Sequence, residues 1–144
     1  MLRLAPLTPE SAGFDLLLTE SQREGHRMLL RFLENWQTGA NRFDRPGEIM
    51  LGAWRGERLA GTAGRNVDPY DGNPRAGRVR HLYVAGDERR HGVGRQLILA
   101  IVTEATNWFD YLNTNAPETA FAFYESLGFV QHHVEHVTHR LMLR

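Results

Sequence analysis

A strand that runs through a glycine turn into a helix constrains this chain more than any other feature. Residues 78–84 (RVRHLYV) have the composition of a strand. Residues 92–108 open with Gly92-Val93-Gly94 and then place Leu97, Ile101 and Ala105 on one helical stripe, with Ile98 and Val102 beside it. Glycines at such a junction let the backbone approach an anion closely, and the first helical turn offers unpaired N–H groups at the positive end of the dipole. Arg89, Arg90, His91 and Arg95 frame the turn, and guanidinium groups add charge-assisted hydrogen bonds. A phosphate or pyrophosphate is the ligand this turn is suited to hold. A dinucleotide fingerprint fits less well, because it belongs to the first strand–helix unit and needs a third glycine where Leu97 stands.

Around this unit the pattern alternates strand and helix over 144 residues, a length that suits one domain spanning 1–144. Residues 2–7 read as a strand. Thr8-Pro9-Glu10 then has the signature of a helix start. A longer helix is expected over 20–37, where Met28, Phe32 and Trp36 share a face with Leu29 and Leu33, and a loop over 39–47. Residues 48–54 and 58–65 read as a hairpin turning at Arg55-Gly56-Glu57. The glycine- and proline-rich stretch 66–77 reads as a long, mobile loop carrying Asp68 and Asp71. A strand over 111–115, a helix from Pro117 to Leu127 ended by Gly128, and two strands within 129–144 complete the order.

Composition removes several chemistries. The 17 basic side chains are all Arg, so neither a P-loop lysine nor a Schiff-base lysine exists. The lack of Cys removes disulfides, cysteine zinc sites and thiol nucleophiles. The longest apolar run, residues 97–102, is too short to span a bilayer. With no signal peptide at the N-terminus, a cytoplasmic protein without membrane partners is expected. The 17 acids cancel the 17 Arg overall, but residues 75–95 hold six Arg against Asp87 and Glu88, a local +4. An island this short suits one compact anionic ligand and argues against a nucleic-acid partner. His132, His133, His136 and His139 lie on a segment that reads as strands, and nothing there has the spacing of a metal site, so no metal is expected.

Thirty residues beyond the glycine turn lies Phe123-Tyr124-Glu125-Ser126-Leu127-Gly128-Phe129. Alone it reads as an amphipathic helix with an aromatic core face. Paired with Arg89-x-x-Gly92-x-Gly94 it resembles the GCN5-related N-acetyltransferase (GNAT) superfamily, whose acyl-CoA motif is Gln/Arg-x-x-Gly-x-Gly/Ala. The likeness covers essentially the whole chain. It implies an α+β (three-layer α/β) fold: a mixed, mostly antiparallel sheet of six to seven strands flanked by about four helices. It also implies transfer of an acetyl group from acetyl-CoA to a primary amine, on a small molecule or a protein N-terminus, in a ternary complex. A homodimer is compatible with the family. Two departures stand out. Gly86 occupies a position that is often Pro, and Arg78 one that is often Glu, which leaves the general base unassigned.

The resemblance assigns roles residue by residue. Leu82, Tyr83 and Val84 would line the pantetheine arm, with a backbone N–H near Val84 polarising the thioester carbonyl. The amides of Gly92, Val93, Gly94 and Arg95 would cradle the pyrophosphate, with Arg89, Arg90 and His91 nearby, and Asn115 would bond the pantetheine arm. Tyr124 would protonate the departing thiolate. For the base, His81 on the binding strand and Glu48 on the second strand are the candidates, beside a relay of water. The acceptor pocket would form from the second helix and the loops 39–47 and 66–77. Trp36-x-x-Gly-x-Asn-Arg-Phe and Asp68-Pro69-Tyr70 resemble a subset of bacterial members, and Asp68, Asp71 and Glu48 would either attract a cationic amine or be solvated loop residues. The alternative is a non-catalytic acyl-CoA-binding regulatory module.

Overall fold

Residues 49–67 form a hairpin whose two strands are buried almost throughout, and the rest of the sheet grows from it. A computed structural model describes residues 1–143. In it β2 (Ile49–Arg55) and β3 (Arg58–Val67) pair antiparallel around Gly56, whose φ of 59° suits a tight turn. The first strand, β1 (Arg3–Pro6), borders β2, and β4 (Ala76–Val84) pairs antiparallel with β3. Beyond β4 lie β5 (Tyr111–Thr114), β6 (Val130–Val134) and β7 (Val137–Met142), with β7 inserted between β5 and β6. The sheet order is β1-β2-β3-β4-β5-β7-β6, and β4–β5 is its parallel pair.

Helices α1 (Phe14–Arg23) and α2 (Met28–Thr38) cover one face, where Phe14, Leu17, Leu29, Phe32 and Tyr83 are buried together. Helices α3 (Val93–Val102) and α4 (Phe121–Ser126) cover the other, over Leu97, Ile98, Ile101, Leu112 and Tyr124. Seven mostly antiparallel strands between two helical layers match the expected fold class.

Several boundaries differ from the sequence reading, each for a local reason. The helix expected over 20–37 is two helices. Gly25, at φ 84°, takes the left-handed conformation just past α1, and the Glu24, Gly25 and His26 N–H groups turn back to carbonyls of Glu20, Gln22 and Ser21. The start signal at Thr8 makes a turn instead, its N–H bonded to Ser11 Oγ at 2.9 Å, and α1 begins at Phe14. Residues 66–77 are not a long free loop. β3 and β4 extend into this stretch, and the buried Asp68 accepts the Tyr70 N–H and Asn113 Nδ2, each at 2.9 Å. The helix expected to reach residue 108 stops at Val102, and a 3-10 turn covers Ala105–Asn107. The next helix likewise starts with a 3-10 turn, Glu118–Ala120, before α4.

The end of α3 is held by an uncommon cap. Arg65, reaching under the sheet from β3, donates to the carbonyls of Ile101 at 2.6 Å, Thr103 at 3.2 Å and Gly47 at 2.7 Å. One guanidinium thereby satisfies orphan carbonyls of the helix and ties them to the preceding loop.

Candidate functional site

Two defects in the sheet open a site. The parallel pairing of β4 with β5 covers only Ala76↔Tyr111, Gly77↔Leu112 and Arg78↔Asn113. It is tight there, since a Cβ on Gly77 would lie 2.6 Å from Leu112 and 2.9 Å from Phe109. Beyond Arg78 the strands part. On the other edge of β4 the pairing jumps from Gly64↔Arg80 to Thr62↔Tyr83, so His81 and Leu82 together face one residue of β3. This bulge puts His81 at φ 56°, and Thr62 Oγ1 donates to its carbonyl at 2.7 Å.

The bulge also shifts the phase of the strand. Before it, Val79 packs into the α3 core; after it, Leu82 and Val84 do, while Tyr83 turns to the α1–α2 core. His81 is carried to the α2 side, 5.9 Å from the rings of both Phe32 and Phe43. The result is a cleft of about 890 Å³ running from α2, across the gap between β4 and β5, to the start of α3 and the flank of α4.

At the α3 end stands the glycine turn. Gly92 has φ 82° and open space where a Cβ would point, and Gly94 sits 3.5 Å (as a built Cβ) from Val84 and Phe123. Buried Val93 and Leu97 anchor the helix behind it. Gln96 N–H is the first to bond within the helix, to Gly92 O, so the N–H groups of Val93, Gly94 and Arg95 are the helix's orphan donors. Arg90, His91 and Arg95 are exposed around them.

Arg89 behaves differently from its neighbours. It donates to Glu24 at 2.5 Å and to Val84 O at 3.1 Å, and it lies over the Tyr83 ring. Tyr83 in turn donates to Glu24 at 2.6 Å and lies 2.9 Å from Glu20, which also accepts the Gly86 N–H at 3.0 Å. Arg89 and Tyr83 hold the Glu24 carboxyl below its ordinary range, while burial and the two acids push the Tyr83 hydroxyl up. These two glutamates were missed at the sequence level; their i, i+4 spacing on one helix was the available signal. The acids of the basic island are occupied too. Glu88 bridges Arg55 and Arg58, and Asp87 pairs with Arg58. That leaves Arg80, Arg90 and Arg95 of the island without ion pairs among the described residues, the last two beside the turn.

The remaining predicted residues spread over the cleft. Tyr124 is buried beside Phe123 and Phe129, and burial pushes its hydroxyl up to about 12, with a hydrogen bond to Thr114 working the other way. Asn115 is exposed on the same wall. His81 also lines the cleft; its Nε2 is buried without a hydrogen-bond partner, and burial, with Arg80 and Arg31 nearby, lowers it to about 3. Glu48 is not among the lining residues. Its carboxylate accepts the Val67 N–H at 2.9 Å and the Arg45 N–H at 3.3 Å. Asp68 and Asp71 lie behind the wall as well, both bonded to Asn113 Nδ2. Three arginines, Arg31, Arg78 and Arg80, line the α2 end of the cleft instead. Among the described residues no group of three His, Asp or Glu is arranged to hold a metal ion, and no helix is long and apolar enough to cross a membrane.

Residues 17–142 match the family profile described as the acetyltransferase (GNAT) domain. The chain belongs to the GNAT acetyltransferase family. Like other members it is an acyltransferase. A structure from Exiguobacterium sp. 255-15, described as an acetyltransferase, is 30% identical, with 99% of this chain and 93% of that chain covered at a TM-score of 0.89. Two more distant structures share the fold. An N-acetyltransferase of Staphylococcus aureus Mu50 is 12% identical (TM-score 0.73, covering 100% and 99%). Glucosamine-6-phosphate N-acetyltransferase of Arabidopsis thaliana is 13% identical (TM-score 0.68, covering 93% and 95%). Comparison with the curated proteins found no match.

Proposed function

We propose that this GNAT enzyme transfers an acetyl group from acetyl-CoA to a primary amine, with both substrates bound in the one cleft. The observation that carries this reading is the orphan N–H set of Val93, Gly94 and Arg95 opening onto a cleft whose far end lies across the sheet. The fit is good at the turn: Gly92 leaves open space, and Gly94 faces only ordinary van der Waals contacts. Those amides, with Arg90 and Arg95, would hold the pyrophosphate. Leu82, Tyr83 and Val84 on one side and Asn115 on the other flank the gap a pantetheine arm would cross.

Bound there, acetyl-CoA supplies an activated thioester for direct attack by a neutral amine. The residues of the chain do the rest. Beyond Arg78, where pairing with β5 stops, a backbone N–H of β4 near Val84 would polarise the thioester carbonyl. Tyr124 Oη keeps its proton well above neutral pH and so serves as the donor to a departing sulfur. Arg31 and Arg80 disfavour a positive charge on His81, and the same field disfavours an ammonium, so it helps keep the acceptor amine neutral. His81 is therefore assigned as a neutral hydrogen-bond acceptor for the amine, with water taking the proton. Glu48 acts through the strand it fastens.

Calorimetry with acetyl-CoA, followed by thiol-release assays over an amine library, tests the reading. Binding plus turnover is the expected outcome. Lack of acetyl-CoA binding would overturn it, and binding without turnover on any amine would favour a non-catalytic acyl-CoA-binding module.

A further inference from the structure

The α2 end of the cleft is cationic in a way the donor chemistry does not need. Arg78 and Arg80 project from the same stretch of β4 and Arg31 from α2, and all three line the cleft. Arg78 is already engaged, donating to His136 O at 2.8 Å, lying 3.7 Å from Asp68 and stacking over Tyr70 at 5.0 Å. Arg80 is not. It is only partly exposed, and it makes no hydrogen bond or ion pair among the described residues. Burial lowers its affinity for a proton and the charges of Arg78 and Arg31 lower it further, with Tyr70 and Asp68 opposing them only in part. Arg31, one helical turn from the start of α2, is likewise without a carboxylate partner. Among the described residues the only acid lining the cleft is Glu88, which is already held by Arg55 and Arg58.

A half-buried guanidinium beside two others is unfavourable until an anion arrives, because the one acid acting on it nearby, Asp68, is shared with Arg78 and bonded to Asn113. We infer that the acceptor is an amine carrying its own anionic group, a carboxylate or a phosphate, which Arg80 and Arg31 bind while the amine lies toward His81. The assignment rests on the acetyl transfer proposed above. Guanidinium pairs with either oxyanion in a two-pronged geometry. Once the anion is bound, the charge remaining around the site still favours the unprotonated amine. The position where the sequence comparison expected a glutamate is held by Arg78, and a cleft without a free acid has no means of attracting a purely cationic amine.

The test is a set of matched amines in the thiol-release assay: α-amino acids against their methyl esters, aminoalkyl phosphates against the parent amino alcohols, and a short peptide starting with Asp against one starting with Ala. The anionic member of at least one pair should have a kcat/KM about 10- to 100-fold higher, the range expected for one or two charge-assisted bonds. The pairs separate carboxylate from phosphate and free amine from peptide. Arg80→Gln and, at an exposed position, Arg31→Gln should each erase most of that preference and leave the acetyl-CoA Kd within about twofold of wild type. Equal rates within every pair, or a preference untouched by both variants, would overturn the inference with the acetyltransferase reading intact. An acetyl-CoA Kd weakened by either variant as strongly as the acceptor KM would also overturn it, because the arginines would then serve the cosubstrate. A measurement independent of turnover uses calorimetry of N-acetyl amino acids and N-acetyl aminoalkyl phosphates against their neutral counterparts, with and without CoA. Tighter binding of the anion, lost in Arg80→Gln, supports the inference; no difference between partners sinks it.

Discussion

His81 sits between Phe32 and Phe43 with an unpartnered Nε2, in a left-handed backbone conformation that only the β4 bulge requires. A group this buried couples folding to acidity. The unfolded chain takes up a proton on this residue near pH 6.5, the folded one only near pH 3. The stability that depends on neutral His81 is thus complete above pH 6.5 and drains away as pH falls toward 3, by roughly 3–5 kcal/mol over that window. His81→Asn, which tolerates positive φ, should flatten the dependence of urea midpoints on pH between 4 and 6.5. An unchanged slope would mean that other groups dominate acid unfolding. Tyr124 offers the second residue-level expectation: Tyr124→Phe should lower kcat by about 10²- to 10⁴-fold with the acetyl-CoA Kd unaltered. Both residues were legible in the sequence as candidates. Which of them titrates was not, because a protonation state depends on neighbours such as Arg31 and Phe43 that come from other elements.

At the level of elements, the glycine turn is fastened from outside itself. Arg89, the first residue of the motif, points back to Glu24 and the Val84 carbonyl, and Glu20 receives the Gly86 amide, so α1 braces the turn that α3 begins. Glu20→Gln with Glu24→Gln should weaken acetyl-CoA binding several-fold by calorimetry while leaving Arg90 and Arg95 in place; full affinity in the double variant would show that α3 alone fixes the turn. The strand–turn–helix and both hairpins were readable from alternation and glycine placement. The break between α1 and α2 was not read, because residues 19–27 are polar throughout and offer no apolar face that Gly25 could be seen to interrupt. The bulge in β4 left no trace either, since no glycine marks it and the phase shift shows only once Val79 and Leu82 are seen to face the same core.

Across the whole molecule, buried polar joints hold elements together beside the apolar cores. Arg65 is the clearest of them, one guanidinium on three carbonyls and in no ion pair among the described residues. Arg65→Met should leave those carbonyls unsatisfied and cost about 2–5 kcal/mol, seen as a lower urea midpoint with an unchanged m-value. The net charge of zero is composed of such local arrangements. Arginine, the sole cation of the chain, serves as helix cap at Arg65, brace at Arg89 and anion site at Arg80, and a count of charges cannot separate the three.

The short parallel contact between β4 and β5 has a consequence for synthesis and solubility. β4 is made well before β5, so its inner border waits until residues 111–114 have been made to find even three paired residues. From Val79 onward it waits longer, and an unpaired strand border is a template for joining other chains. A ligand that fills the cleft then also covers this inner border of the sheet, so the protein should aggregate more slowly with its cleft occupied.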